Sequence, residues 1–121
     1  MSTDRELLEL AAQAAGYEIH SNDERAPGVY VVIDRNVKHW TPLTDDGDAL
    51  RLMVSLHLYL RPMSFLGPDG GYVVVGVADW PGIEERVMDN DQHAATRRAI
   101  VRAAAELGRA VASLAKTASH T

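Results

Sequence analysis

Between His39 and Leu52 the chain sets Trp40, Asp45, Asp46 and Asp48 ahead of an apolar run, and far downstream Arg97 and Arg98 open another. Three neighbouring carboxylates can accept the unpaired N–H groups of a helix start, ligate a hard cation through oxygen, or face a basic partner. Capping is the commonest of these roles, each cap contributing about 0.5–2 kcal/mol. The spacing argues against a calcium loop, whose ligands alternate along about 12 residues and end in a distant Glu. Trp40, before Pro42, reads either as a stacking platform for a ligand or as a core plug that fixes the loop. The arginines are out of place at a helix start, where the dipole favours acids, so each calls for a local partner. Arg97 falls on the line of Ala104 and Gly108, near the apolar stripe, whereas Arg98 lies with Arg102 on the outer side. The expectation is that Arg97 pairs with a carboxylate of the Asp45–Asp48 cluster.

These six residues, Trp40, Asp45, Asp46, Asp48, Arg97 and Arg98, are the candidate ligand-binding set. No catalytic or metal-ligating set emerges beside them. The histidines at 20, 39, 57, 93 and 120 are scattered, without HExxH or an i, i+4 pair. A GxSxG elbow, a P-loop and a dinucleotide fingerprint are absent, and the glycines from Gly67 to Gly71 precede a strand and carry no lysine. No cofactor is expected. A hydrolase using His39, the aspartates and a metal is the weakest of the functional readings.

Composition narrows the class. With 121 residues the chain has the length of one domain, enough to bury about two thirds of its unfolded surface. It contains no cysteine, which excludes disulfides, thiolate zinc sites and cysteine nucleophiles, and fits a reducing cytoplasm. A net charge of -5 disfavours nucleic acid as a partner. The polar start predicts neither a signal peptide nor a membrane span.

The elements that must position the candidates follow from periodicity. Leu7, Leu8, Leu10, Ala11, Ala14 and Ala15 predict a helix over about 4–15, stopped by Gly16. Tyr17–His20 and Val29–Ile33 read as strands around a loop from Ser21 to Gly28, the second apolar on both faces. A loop through Pro42 leads into a helix from about Asp46 to Leu56, with Leu50, Met53 and Val54 inward. A strand from His57 to Pro62 or shortly beyond, the turns Gly67–Gly71 and Trp80–Gly82, the strand Tyr72–Val77 and a short strand over Glu84–Met88 complete the middle. The last helix, about His93–Ala115, carries Ile100, Ala104, Leu107, Val111 and Leu114 on one face, with Asp91 or Asn90 as cap. Arg102 and Glu106 pair on its outer side, and the tail 117–121 frays. Short connections and two-faced apolar strands predict an α+β fold: a three-layer α-β-α sandwich around a mainly antiparallel sheet of four to five strands, in the order α-β-β-α-β-β-(β)-α, over residues 1–116. The two halves suggest a loose αββ duplication.

The segments Trp40–Leu52 and Ala94–Arg109, with the opening run Leu7–Gly16, resemble the bacteriophage ABA sandwich family. The resemblance implies a small phage or prophage protein in the bacterial cytoplasm, with an αβα sandwich and no assigned activity; it does not extend over Arg61–Gln92. The leading expectation is a non-catalytic accessory protein that binds a host protein. The alternative is a sponge for an anionic, nucleotide-like molecule, with Trp40 for stacking and Arg97 or Arg98 for charge. A homodimer is compatible with alanine-rich helices.

Overall fold

The computed structural model describes residues 3–21, 28–63, 71–77, 81–88 and 91–118. Thr3 opens the first helix, α1 (Asp4–Ala14): its hydroxyl accepts the Glu6 N–H at 3.1 Å, while Asp4 and Glu6 complement the dipole of the first turn. Leu7, Leu8, Ala11 and Ala12 form its buried face. Gly16, at φ 78°, closes the helix in a Schellman turn, with Tyr17 N–H on Ala12 O and Gly16 N–H on Gln13 O.

Three antiparallel strands follow, β1 (Glu18–Ser21), β2 (Val29–Ile33) and β3 (Asn36–Trp40). The β2–β3 link is a two-residue loop, Asp34-Arg35, with both residues at positive φ (51° and 68°) and Ile33 paired with Asn36. That is a type I′ hairpin made without glycine. β3 occupies what the sequence predicts to be loop. It is a polar edge strand in which only Trp40 is buried, so it lacks the alternation that marks a half-buried strand.

The same order then repeats: α2 (Asp46–Ser55), β4 (Tyr59–Met63), β5 (Tyr72–Gly76) and β6 (Ile83–Arg86), in a second antiparallel sheet. α2 also ends in a Schellman turn, with Leu58 N–H on Met53 O and His57 N–H on Val54 O. Here His57, at φ 54°, stands where α1 uses glycine. The duplication is therefore αβββ twice, closed by the long α3 (Gln92–Ala118). Pro62 lies inside β4, which an edge strand tolerates. The final strand spans Ile83–Arg86, not Glu84–Met88. The tight turn expected over Gly67–Gly71 and the candidate cap Asn90 lie wholly or mostly outside the described residues, as does Trp80 of the turn expected over Trp80–Gly82.

The fold is α+β, as the periodicity implies, but the described strands form two three-stranded sheets instead of one sheet of four or five. In each central strand one face is covered: Val29 and Val31 in β2, Val73 and Val75 in β5, while Tyr30 and Tyr72 are exposed and Val32 and Val74 half-buried. Valine is at home on a half-exposed pleated face, so an apolar run does not demonstrate cover on both sides. α3 packs on α1, α2, β5 and β6, and α1 packs on β1 and β2. From Ala99 to Ala105 only Arg102 escapes burial in α3.

Two helix faces depart from expectation. α2 turns Ala49 and Leu52 inward and leaves Leu50 and Val54 exposed. The apolar stripe of α3 is buried at Ile100 and Ala104, half-buried at Leu107, and exposed at Val111 and Leu114, because the helix outruns its neighbours. Its 27 residues reach about 40 Å, against 11 for α1 and 10 for α2. Thr117 and Ala118 of the expected frayed tail are still helical. Arg102 pairs with Glu85 of β6 and not with Glu106, whose carboxylate takes Arg109 instead. The β6 carboxylate is half-buried beside α3, a stronger attraction than a fully solvated i, i+4 pair.

Candidate functional site

The aspartate cluster divides into three separate jobs. Asp45 is the N-cap of α2, its Oδ2 accepting the Asp48 N–H at 2.7 Å. Asp48 reaches back along the chain: its Oδ2 accepts the Thr41 N–H at 3.0 Å and its Oδ1 accepts from Arg51 Nη2 at 2.8 Å. Asp46, the first residue of α2, takes no part in capping and points toward α3. Arg97 Nη1 donates to its Oδ1 at 2.6 Å, and His93 Nδ1 stands 3.6 Å from its Oδ2.

The expected pairing of Arg97 with the cluster is therefore present, and it is sturdier than a surface ion pair. Arg97 Nε also donates to the Leu43 carbonyl at 2.9 Å, and the side chain is only 18% exposed. One guanidinium thus ties α3 to the loop that leads into α2. Its hydrogen bond, together with the positive field of Arg97 and His93, holds the Asp46 carboxyl below its ordinary value of 3.8. Partial desolvation opposes that shift without cancelling it.

The other candidates do not converge on this point. Trp40 is 3% exposed and meets Tyr17 edge to face, ring centroids 5.6 Å apart. It plugs the core between β3 and the end of α1, and its faces are not open to a stacking ligand. Arg98 turns to α1, where it pairs with Asp4 at 3.1 Å. It lines a separate cleft of about 390 Å³ with Arg102 and Arg109, in which Glu85 and Glu106 pair with those two guanidinium groups. His39 lies against Tyr30 on β2, ring centroids 5.1 Å apart. Among the described residues no three His, Asp or Glu side chains are grouped as a metal would need.

Where Asp46 meets Arg97 a groove of about 310 Å³ opens between α2, β4 and the start of α3. Its floor is apolar, built from Ala49, Leu50, Met53, Leu60 and Ile100, and its polar end carries Asp46, Gln92, His93, Thr96 and Arg97. Leu50 is 55% exposed and Leu60 42%, so two large aliphatic side chains border an open concavity. Asp91 caps α3 at this end, its Oδ1 accepting the Ala94 N–H at 2.9 Å. Asp46 and Gln92 are the first residues of α2 and α3, so two positive helix ends meet at the polar mouth.

The sequence reading missed Leu50 and Leu60 as groove residues, and it missed His93. A signal existed for His93, four residues before Arg97 and so on the same face of α3. Leu50 carried none: a leucine beside Ala49 and Leu52 reads as core. No helix among the described residues is long and apolar enough to cross a membrane. Compared with protein-family models, with curated proteins and with solved structures, the chain matches none.

Proposed function

We propose that this chain is a small non-catalytic binding protein of phage or prophage type, and that it works by holding an apolar group in the groove between α2, β4 and α3. The observation that carries the reading is the exposure of Leu50 and Leu60 on one concavity whose far wall is fixed by the Arg97 strut. Ligand sites are typically concave, mostly apolar and furnished with a few placed polar groups, and pockets of about 300 Å³ stand at the small end of their range. The phage assignment rests on the resemblance of Trp40–Leu52 and Ala94–Arg109. It agrees with a binder that contributes a surface and no reaction.

A nucleotide-like ligand is less well served, since Trp40 is enclosed and Arg97 and Arg98 belong to different clefts. The test is a titration of 15N-labelled protein with a small apolar probe, hexan-1-ol. Amide shifts confined to residues 46–53, 60 and 92–100, and abolished by Leu60→Glu, are the expected result. Shifts that spread over the surface, or persist in the variant, would remove the reading.

A further inference from the structure

The polar mouth of the groove holds an anion that belongs to the protein itself. Asp46 is 67% exposed, and among the described residues its two oxygens face only Arg97 and His93. It has no structural duty in α2, because Asp45 caps the helix and Asp48 fastens the preceding loop at Thr41. Arg97, by contrast, is fixed. The Leu43 carbonyl holds its Nε, the side chain is mostly buried, and its Nη2 makes no hydrogen bond among the described residues.

Arg97 and His93 supply the positive charge that faces that anion. It lies where α2 and α3 begin, each helix start capped by its own carboxylate, Asp45 and Asp91, and among the described residues Asp46 is the one carboxylate in the groove wall. Removing Asp46 from the mouth would leave the fixed Arg97 cation unanswered, beside a floor of Leu50, Met53, Leu60 and Ile100.

We propose that the groove binds a small aliphatic monocarboxylate, its chain on Leu50, Met53 and Leu60 and its head on Arg97, in the place that Asp46 holds in the free protein. Asp46 is then an internal stand-in for the ligand head, and it swings into solvent when the ligand arrives. A planar guanidinium fits a carboxylate through two parallel N–H donors, which Arg97 Nη1 and Nη2 would supply. The proposal rests on the groove being a binding site, and adds the charge of the ligand and the displacement.

Three probes of one chain length separate these claims: hexanoate, hexan-1-ol and hexylammonium, each titrated into the wild-type protein and Asp46→Ala. The variant removes an exposed side chain without touching the cap, and its amide spectrum verifies folding. Hexanoate is expected to bind Asp46→Ala about tenfold more tightly than wild type, while hexan-1-ol binds both alike. Unchanged hexanoate affinity in the variant overturns the proposal, as does a wild-type preference for hexylammonium that Asp46→Ala abolishes. Retained hexan-1-ol binding in those cases leaves the groove itself standing. If none of the three probes binds either protein, the groove reading and the carboxylate proposal both fall.

Discussion

Arg97 joins parts of the chain more than fifty residues apart, and its two kinds of contact carry different weight. The bond from Nε to the Leu43 carbonyl is partly buried, so removing the donor leaves a backbone acceptor short of a partner. Arg97→Met is expected to cost about 1–3 kcal/mol in urea unfolding. The bond to Asp46 is more exposed and shows itself through pH. Its carboxyl titrates below 3.8 in the folded chain, so its stabilising contribution is complete above that value and disappears as pH falls through the lower folded value. Asp46→Asn should therefore lower the melting temperature at pH 6, with the gap to wild type closing below pH 3.8; a gap that persists in acid would dissociate Asp46 from the ion pair. Of this site the sequence announced the Arg97 pairing through an arginine set against the helix dipole. It could not announce the third dimension of the groove, since Leu50 and Leu60 become neighbours of Arg97 only through the crossing of α2, β4 and α3.

At the scale of elements, strain is concentrated at non-glycine residues in left-handed conformation. Gly16 and His57 close equivalent turns, but His57 has a Cβ in a region where it is unfavourable. His57→Gly is expected to stabilise by about 1 kcal/mol, less the gain in unfolded-chain entropy, and the reverse change at Gly16 to destabilise by a similar amount. Arg35→Gly would turn the β2–β3 loop into Asp-Gly and should likewise raise the urea midpoint. The absent glycine is also why β3 escaped the sequence reading: Asp34-Arg35 carries no hairpin signature, and Asn36–His39 show no apolar face. α1 and α3 were legible because a helical period runs along each, with Gly16 as the stop of α1 and Asp91 as the cap of α3. α2 was legible in extent but not in phase, since Ala49 is too small to reveal which face is inward.

At the scale of the molecule, α3 is the common wall for both αβββ units, and small residues let it come close. A Cβ on Gly108 would lie 2.1 Å from the Leu10 carbonyl oxygen of α1, an overlap with backbone that cannot rotate away. Gly108→Ala is expected to destabilise by at least about 1–3 kcal/mol despite the better helix propensity of alanine, as urea unfolding would reveal. The prediction of a single sheet failed at this scale for a related reason. Which side of an apolar strand is covered depends on the path of a helix distant in sequence, and α3 covers Val73 and Val75 while leaving Tyr72 outside. That same path brings the first turn of α3 alongside α2 and opens the groove on which the functional account depends. Intermolecular nuclear Overhauser effects from bound hexan-1-ol locate the occupant directly. The account predicts contacts to the methyl groups of Met53, Leu60 and Ile100; contacts at Leu58, Val75 and Leu107 in the separate cleft between β5, β6 and α3, or none at all, would contradict it.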